Sequence, residues 1–169
     1  LANEDVWETN DMNGNPVNWR KIINNTTGNT FVSASHSLAD SNIFYVVRGD
    51  GILFRTFNAL DIQPIFDSLP LPTNYITSMT TVANNPNALY LCGDRVFFSN
   101  DQGVTWTDIT NPLNPLFSFQ EIVADPYALD GSVYLLATNK VYYKNDVLNW
   151  IEFSNQLPDV TYINDISVK

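Results

Sequence analysis

A spacing of about 44 residues, kept in step by two independent markers, constrains this chain more than any other feature of its sequence. The first marker is an aromatic-rich run. Val96-Phe97-Phe98-Ser99-Asn100-Asp101 is echoed by Val141-Tyr142-Tyr143-Lys144-Asn145-Asp146, and more faintly by Ile52-Leu53-Phe54-Arg55 and Val6-Trp7-Glu8-Thr9-Asn10-Asp11. Each run is followed by a large apolar residue expected to close a hairpin: Trp19, Ile62, Trp106 and Trp150, at intervals of 43, 44 and 44 residues. The second marker is a buried-strand pattern. Ile43-Phe44-Tyr45-Val46-Val47 matches Ala88-Leu89-Tyr90-Leu91-Cys92 and Ser132-Val133-Tyr134-Leu135-Leu136, with tyrosines 45 and 44 residues apart. Turn residues precede each copy (Asp40-Ser41-Asn42, Asn85-Pro86-Asn87, Leu129-Asp130-Gly131), and strand-like stretches precede the turns, around Phe31 to Ser35, Ile76 to Val82, Phe119 to Ala124 and Tyr162 to Val168.

Helical periodicity is nearly absent, and short Val, Ile, Tyr and Phe runs alternate with Asn, Asp, Pro and Gly; the 22 asparagines suit turns and exposed loops. Four short strands in about 44 residues is the size of one β-propeller blade. The sequence therefore predicts an all-β fold, a β-propeller of four-stranded antiparallel blades. The expected organisation is an outer hairpin over 1–29, blades over 30–73, 74–116 and 117–160, and the first strand of a next blade over 161–169. About 3.7 blades do not close a ring, and each blade needs two neighbours to bury its faces. The phase predicts a segment of a larger propeller, with neighbouring blades in the same longer chain, or an arc completed by other chains. A start at Leu1 with no export signal before it predicts a removed leader or an excerpt.

Charge excludes several partners. Eight Lys plus Arg against 18 Asp plus Glu give a net charge of −10, whereas phosphate binding needs clustered cations. The same balance disfavours an anionic membrane surface, and no apolar run approaches the roughly 18 to 20 residues that cross a bilayer. One cysteine, Cys92, rules out a disulfide within the chain and reads as a buried inert thiol. With one histidine as well, a Cys/His zinc site is excluded, and the Asp/Asn loops lack a D-x-D-x-D-G calcium run. No metal and no cofactor is expected. His36, between Ser35 and Ser37, reads as a hydrogen-bonded structural histidine, and Gly49-Asp50-Gly51 as a hairpin turn. Asn24-Asn25-Thr26 and Asn25-Thr26-Thr27 are sequons that matter only in a secretory eukaryotic setting.

Ser99-Asn100-Asp101-Gln102-Gly103-Val104-Thr105-Trp106 matches S-x-D-x-G-x-T-W throughout. In this spacing the Asp101 carboxylate and the Ser99 and Thr105 hydroxyls satisfy the donors of a tight loop, Gly103 supplies a positive φ, and Trp106 covers the hairpin against the neighbouring sheet. The motif resembles the Asp-box of the sialidase-like (BNR) repeat propellers. The other copies are degenerate: Asn145-Asp146 to Trp150 lacks the glycine, Asn10-Asp11 to Trp19 carries an insertion around Gly14, and Phe57 stands for the aspartate in the copy ending at Ile62. The resemblance implies a structural role for Ser99, Asp101, Gly103, Thr105 and Trp106. Its members include sialidases, xyloglucan-degrading glycosidases, sortilin-like receptors, photosystem assembly factors and secreted bacterial proteins, so the fold alone does not select an activity.

A sialidase resemblance would require an arginine cluster and an F/Y-R-I-P motif. The chain has four arginines, Arg20, Arg48, Arg55 and Arg95, and Phe54-Arg55-Thr56-Phe57 lacks the Ile-Pro. Glu121 and Asp165 lie 44 residues apart at equivalent positions of consecutive inner strands, where the preceding repeat has Ser78. A carboxyl pair is the minimal apparatus for acid/base sugar hydrolysis, and its acid member needs a raised pKa. The leading expectation is a non-catalytic interaction or scaffold module of a secreted or cell-surface protein, binding a protein or glycan partner. The alternative is part of a glycoside hydrolase using Glu121 and Asp165, with its remaining catalytic residues elsewhere.

Overall fold

The structure, a computed structural model, describes residues 5–113, 118–147, 149–154 and 163–168. Three four-stranded antiparallel sheets follow one another along the chain, each with its strands in sequence order, and a two-stranded hairpin precedes them. The hairpin is β1 (Asp5–Glu8) and β2 (Arg20–Asn24). The first complete blade is β3 (Phe31–His36), β4 (Phe44–Arg48), β5 (Ile52–Thr56) and β6 (Asp67–Pro70). The second is β7 (Ile76–Val82), β8 (Asn85–Gly93), β9 (Val96–Ser99) and β10 (Thr107–Asp108). The third is β11 (Phe119–Ala124), β12 (Val133–Ala137), β13 (Lys140–Lys144) and β14 (Ile151–Glu152). These are the four-stranded blades that the 44-residue period predicts. No strand is assigned within 163–168; Tyr162 and Lys169, the expected divisions at 116/117 and 160/161, and Leu1 lie outside the described residues.

The first strands β3, β7 and β11 approach one another and form the inner edge of the arc. Each carries a β-bulge at the same place, between Phe31 and Ser33, Ile76 and Ser78, and Phe119 and Glu121. A bulge bends and twists a strand. The second strands are covered on both faces, and accordingly read as continuous apolar runs. Tyr45, Val46 and Val47 of β4, Leu89 and Leu91 of β8, and Leu135 and Leu136 of β12 are all fully buried.

The core is a series of seams between blades. Val6 and Ile23 of the hairpin pack with Phe31 and Val46. Tyr45, Val47 and Leu53 pack with Met79, Leu89, Leu91 and Phe97. Tyr90, Cys92 and Val96 pack with Phe119, Ile122, Leu135 and Trp150. Hydroxyls stitch the same seams. Thr77 Oγ1 donates to the Phe119 carbonyl (2.7 Å), and Thr81 Oγ1 donates to that of His36 (2.9 Å).

The Tyr45 hydroxyl is buried in the first of the two larger seams and has no hydrogen-bond partner among the described residues. Burial pushes its pKa up to about 12, so it stays neutral. An unsatisfied buried hydroxyl costs about 1–3 kcal/mol, whereas a phenyl ring of the same shape has no such cost. Tyr45→Phe should therefore raise the urea midpoint of unfolding with an unchanged m-value; a lower midpoint would show that the hydroxyl is satisfied in solution.

Candidate functional site

Two places gather polar chemistry: the outer hairpin of the second blade and the inner edge of the third. In the outer hairpin, the Asp101 carboxylate organises the loop from β9 to β10. Its Oδ1 accepts from the Thr105 backbone N–H (2.8 Å) and the Ser99 hydroxyl (2.8 Å), and its Oδ2 accepts from the Thr105 hydroxyl (2.6 Å). Ser99 Oγ in turn accepts from Gly103 N–H (2.9 Å). These bonds, led by that from the Thr105 hydroxyl, hold the Asp101 pKa down at about 2. Gln102 and Gly103 have φ of 61° and 88°. The positive φ at Gly103 favours glycine, and a Cβ there would also press on Leu53 Cδ2 of the preceding blade. Trp106 donates from Nε1 to the Gly103 carbonyl (3.1 Å) and packs into the seam that contains Leu53. Ser99, Asp101, Gly103, Thr105 and Trp106 thus form one unit, whose loop the preceding blade grips through Arg55 Nη1 to the Gln102 carbonyl (2.8 Å).

The same skeleton recurs where the sequence disguises it. In the first complete blade the hydroxyl is Thr56 and the acceptor Asn58. Thr56 Oγ1 donates to Asn58 Oδ1 (2.7 Å), Asn58 N–H donates to Thr56 Oγ1 (3.3 Å), and Ile65 N–H donates to Asn58 Oδ1 (2.9 Å). Ala59 N–H reaches the Asn42 carbonyl just as Gln102 N–H reaches that of Asn87, both at 2.9 Å. The strand pairing Arg55 with Asp67 is the counterpart of Phe98 with Thr107, which puts Phe66 in the place of Trp106. This corrects the expectation that Phe57 and Ile62 fill these roles. Linear counting misses three extra loop residues, and Ile62 is 83% exposed while Phe66 packs into the seam behind it. In the hairpin, Asp11 N–H donates to Thr9 Oγ1 (3.2 Å), with Trp19 closing the longer loop. In the third blade Asp146 takes a bond from Asn84 of the blade before (2.6 Å), and Trp150 donates to the Ile109 carbonyl across the seam (3.0 Å).

At the inner edge, Glu121 Oε2 accepts from the backbone N–H of Ile166 (3.1 Å). The bulge residue of the first blade does the same, Ser33 Oγ accepting from Met79 N–H (3.2 Å), and Ser78 Oγ reaches the Ile122 carbonyl (3.4 Å). Glu121 and Asp165 lie close enough for one carboxyl to influence the other. Burial first, and the adjoining Asp165 carboxyl second, raise the Glu121 pKa against the lowering effect of the Ile166 bond. A raised carboxyl is what a general acid needs, and the pair supplies the two carboxyls that acid/base sugar hydrolysis uses.

The remaining sequence candidates have other partners. His36 stacks on Phe44 with ring centres 4.5 Å apart. Cys92 is buried beside Thr77, and burial pushes its thiol up to about 12. The four arginines do not converge on one place. Arg20 pairs with Glu8, Arg48 with Asp50, Arg55 with Asp67 and Arg95 with Asp108. Three of these, with Lys140–Glu152, join the third and fourth strands of successive blades. Sequence reasoning missed this series, although opposite charges 12 or 13 residues apart in every repeat carry it. Among the described residues no group of His, Cys, Asp and Glu is placed to hold a metal.

Two titrations follow. The Asp101 pKa is lowered on folding, so its stabilisation is complete above the ordinary value of 3.8 and is lost as pH falls towards 2. Asp101→Asn should reduce stability at pH 7 and shrink the difference from wild type near pH 2, measured by urea unfolding at each pH; an equal deficit at both would mean the charge is irrelevant. The Glu121 pKa is raised, so the folded state holds a proton that the unfolded state has released, and stability falls as pH rises above 4.5. Glu121→Gln keeps an acceptor for Ile166 and should flatten that decline; an unchanged slope would place the decline elsewhere.

No known family profile matches the chain. No curated protein matches it either. Solved structures do. An ancestral GH74 enzyme aligns over 83% of this chain and 22% of its own, at 15% identity and a TM-score of 0.60. YCF48 from Cyanidioschyzon merolae aligns over 73% of this chain and 39% of its own, at 12% identity and a TM-score of 0.54. YCF48 bound to D1 peptide aligns over 73% and 40%, at 22% identity and a TM-score of 0.53. The described residues thus form part of a β-propeller, and the chain spans between about a fifth and two fifths of the length of these similar structures.

Proposed function

We propose that this chain is a segment of an Asp-box, sialidase-like repeat propeller that serves as a non-catalytic interaction or scaffold module, binding a protein or glycan partner for a secreted or cell-surface protein. The observation that carries this reading is the use made of Glu121. Its carboxylate accepts from Ile166 N–H at the bulge position where Ser33 accepts from Met79 N–H, so it takes part in blade-to-blade register. The likeness to YCF48 bound to D1 peptide supports a peptide-binding propeller as a precedent for the fold. No nucleic-acid partner fits a net charge of −10.

A second reading, part of a glycoside hydrolase, is favoured by the raised pKa of Glu121 beside Asp165 and by the likeness to a GH74 enzyme. The two separate on one set of assays with the intact protein. The scaffold reading expects no release of reducing sugar from a polysaccharide panel that includes xyloglucan, and co-purification of one stable partner that survives Glu121→Gln and Asp165→Asn. Turnover of any glycan, lost by a factor of about a hundred or more in either variant, would overturn it in favour of the hydrolase.

A further inference from the structure

We infer that the end of the blades from which the Ser99 to Trp106 loop emerges is a docking face for a basic protein segment, one whose Lys and Arg side chains are interspersed with aliphatic ones. The inference rests on the interaction-module reading given above and deepens it, selecting a protein over a glycan as the occupant. Each sheet is antiparallel with its strands in order, so the loops after its first and third strands emerge at one end. The loop from β1 to β2 joins them there. Eleven of the fifteen large apolar side chains left exposed among the described residues lie in these loops, whereas the connections at the opposite end hold only Tyr75 and Phe153. In the first two complete blades they are Leu38, Phe57, Leu60, Ile62, Ile65 and Val104, with Ile65 77% and Leu60 65% exposed. A further blade would stack on a flank of the array and not across the strand ends, so a longer ring leaves this face open.

Hydrogen bonds tie the loops into one surface. Ala59 N–H donates to the Asn42 carbonyl (2.9 Å), Leu38 N–H to Thr81 Oγ1 (3.0 Å), and Gln102 N–H to the Asn87 carbonyl (2.9 Å). Arg55 Nη1 joins the first two complete blades through the Gln102 carbonyl (2.8 Å). Within this surface Arg55, Phe57, Ile65 and Phe66 line an open hollow of about 300 Å³, which suits an apolar side chain. The exposed residues here are branched aliphatics apart from Phe57, whose ring already carries the Arg55 guanidinium (5.2 Å). Such a surface packs against protein side chains better than against a sugar, which asks for a flat open ring. Charge then sets the sign of the partner. The seven loops at this end contain seven aspartates and no Lys, Arg or Glu. Asp40 accepts from Asn42 N–H and Asp61 from the Asn58 side-chain amide, both at 2.9 Å. Neither they nor Asp101 forms an ion pair among the described residues, because Arg20, Lys21, Arg48, Arg55, Arg95 and Lys140 are all matched to other acids. Two cations border the face. Arg20 also reaches the Asp61 carbonyl (2.7 Å), and Lys144 donates to the Asn145 carbonyl (2.7 Å). A second copy meeting this end with its own would set aspartates against aspartates, and an anionic lipid would be repelled in the same way. Aliphatic contacts rimmed by unpaired carboxylates complement a cationic, aliphatic segment.

The test selects a displayed library of random peptides, about twelve residues long, on the intact protein at roughly 0.05 M salt, where surface charge is little screened. The most enriched peptide, synthesised and labelled, is then titrated by fluorescence anisotropy. Enriched sequences should carry Lys and Arg well in excess of Asp and Glu, interspersed with Leu, Ile, Val or Phe. Ile62→Ser combined with Ile65→Ser should weaken binding about tenfold or more, Asp61→Asn about threefold, and Tyr75→Ser at the opposite end not at all. Circular dichroism establishes that each variant is folded, and Ile62→Val with Ile65→Val should bind as wild type does. Raising salt to about 0.5 M should weaken binding several-fold. Four outcomes would overturn the inference: no enrichment over the bare support, enriched peptides without a basic excess, binding that the double serine variant leaves unchanged, or a neutral oligosaccharide held at this face in place of peptide. Binding that ignores this face would leave the interaction-module reading intact and move the partner to another surface. Glycan turnover alongside face-dependent peptide binding would do the reverse, overturning the non-catalytic reading while the docking face stands.

Discussion

The contact on which the rest of the structure depends is an aromatic ring from one blade's outer loop pressed against the third strand of the blade before it. A four-stranded sheet of this size has two apolar faces and cannot cover either from its own residues. Phe66, Trp106 and Trp150 each reach back across a seam, into a cluster that contains a buried third-strand aliphatic, Val6, Leu53 or Val96. The polar skeletons of the outer loops make sense in this light. Ser99 and Asp101, or Thr56 and Asn58, fix the start of a loop whose far end must deliver a ring to a set place. The hydrogen bonds are local, while the apolar burial they direct is not.

A second device acts at the opposite edge of the blades. The bulges in β3, β7 and β11 turn Ser33, Ser78 and Glu121 towards backbone further along the chain, at Met79 of β7, Ile122 of β11 and Ile166. At the two seams between complete blades an outer ring and an inner polar tie hold both ends, which a single contact would leave free to pivot. At the inner edge a serine hydroxyl serves as well as a carboxylate. That interchangeability is the physical ground for treating Glu121 first as part of the blade register, although burial and the nearby Asp165 carboxyl give it a titration no serine has.

Much of this was legible in the chain. The 44-residue period located the strands because burial on both faces leaves a continuous apolar run in every second strand, as in Tyr45 to Val47 or Leu89 to Cys92. Ser99 to Trp106 was legible because every position of that loop keeps its side-chain chemistry. The loop from Thr56 to Phe66 was not, since its acceptor is an amide, its ring is phenyl and three residues are inserted. A hydrogen bond asks only for an acceptor at the right place, and the length of the loop beyond it is free, so a count along the sequence settles on Ile62, which points into solvent. The tie between Glu121 and Ile166 was out of reach for another reason. Sequence periodicity places Glu121 and Asp165 on equivalent positions, but whether they flank a cleft or touch depends on how closely two blades approach.

The seams are also unequal, and that imposes an order on the molecule. Among the described residues, the seam behind the first hairpin contains 4 buried apolar side chains, the next 9 and the last 13. In a linear array each unit is held only by its neighbours, so opening proceeds from the weakest junction inward. The seam behind the β1–β2 hairpin holds the fewest buried apolar side chains, and the seam around Trp150 and Val96 the most. Of the three seams, the one joining the hairpin to the first complete blade is therefore the one that fluctuations part most readily, and the one joining the second and third blades is the last to open.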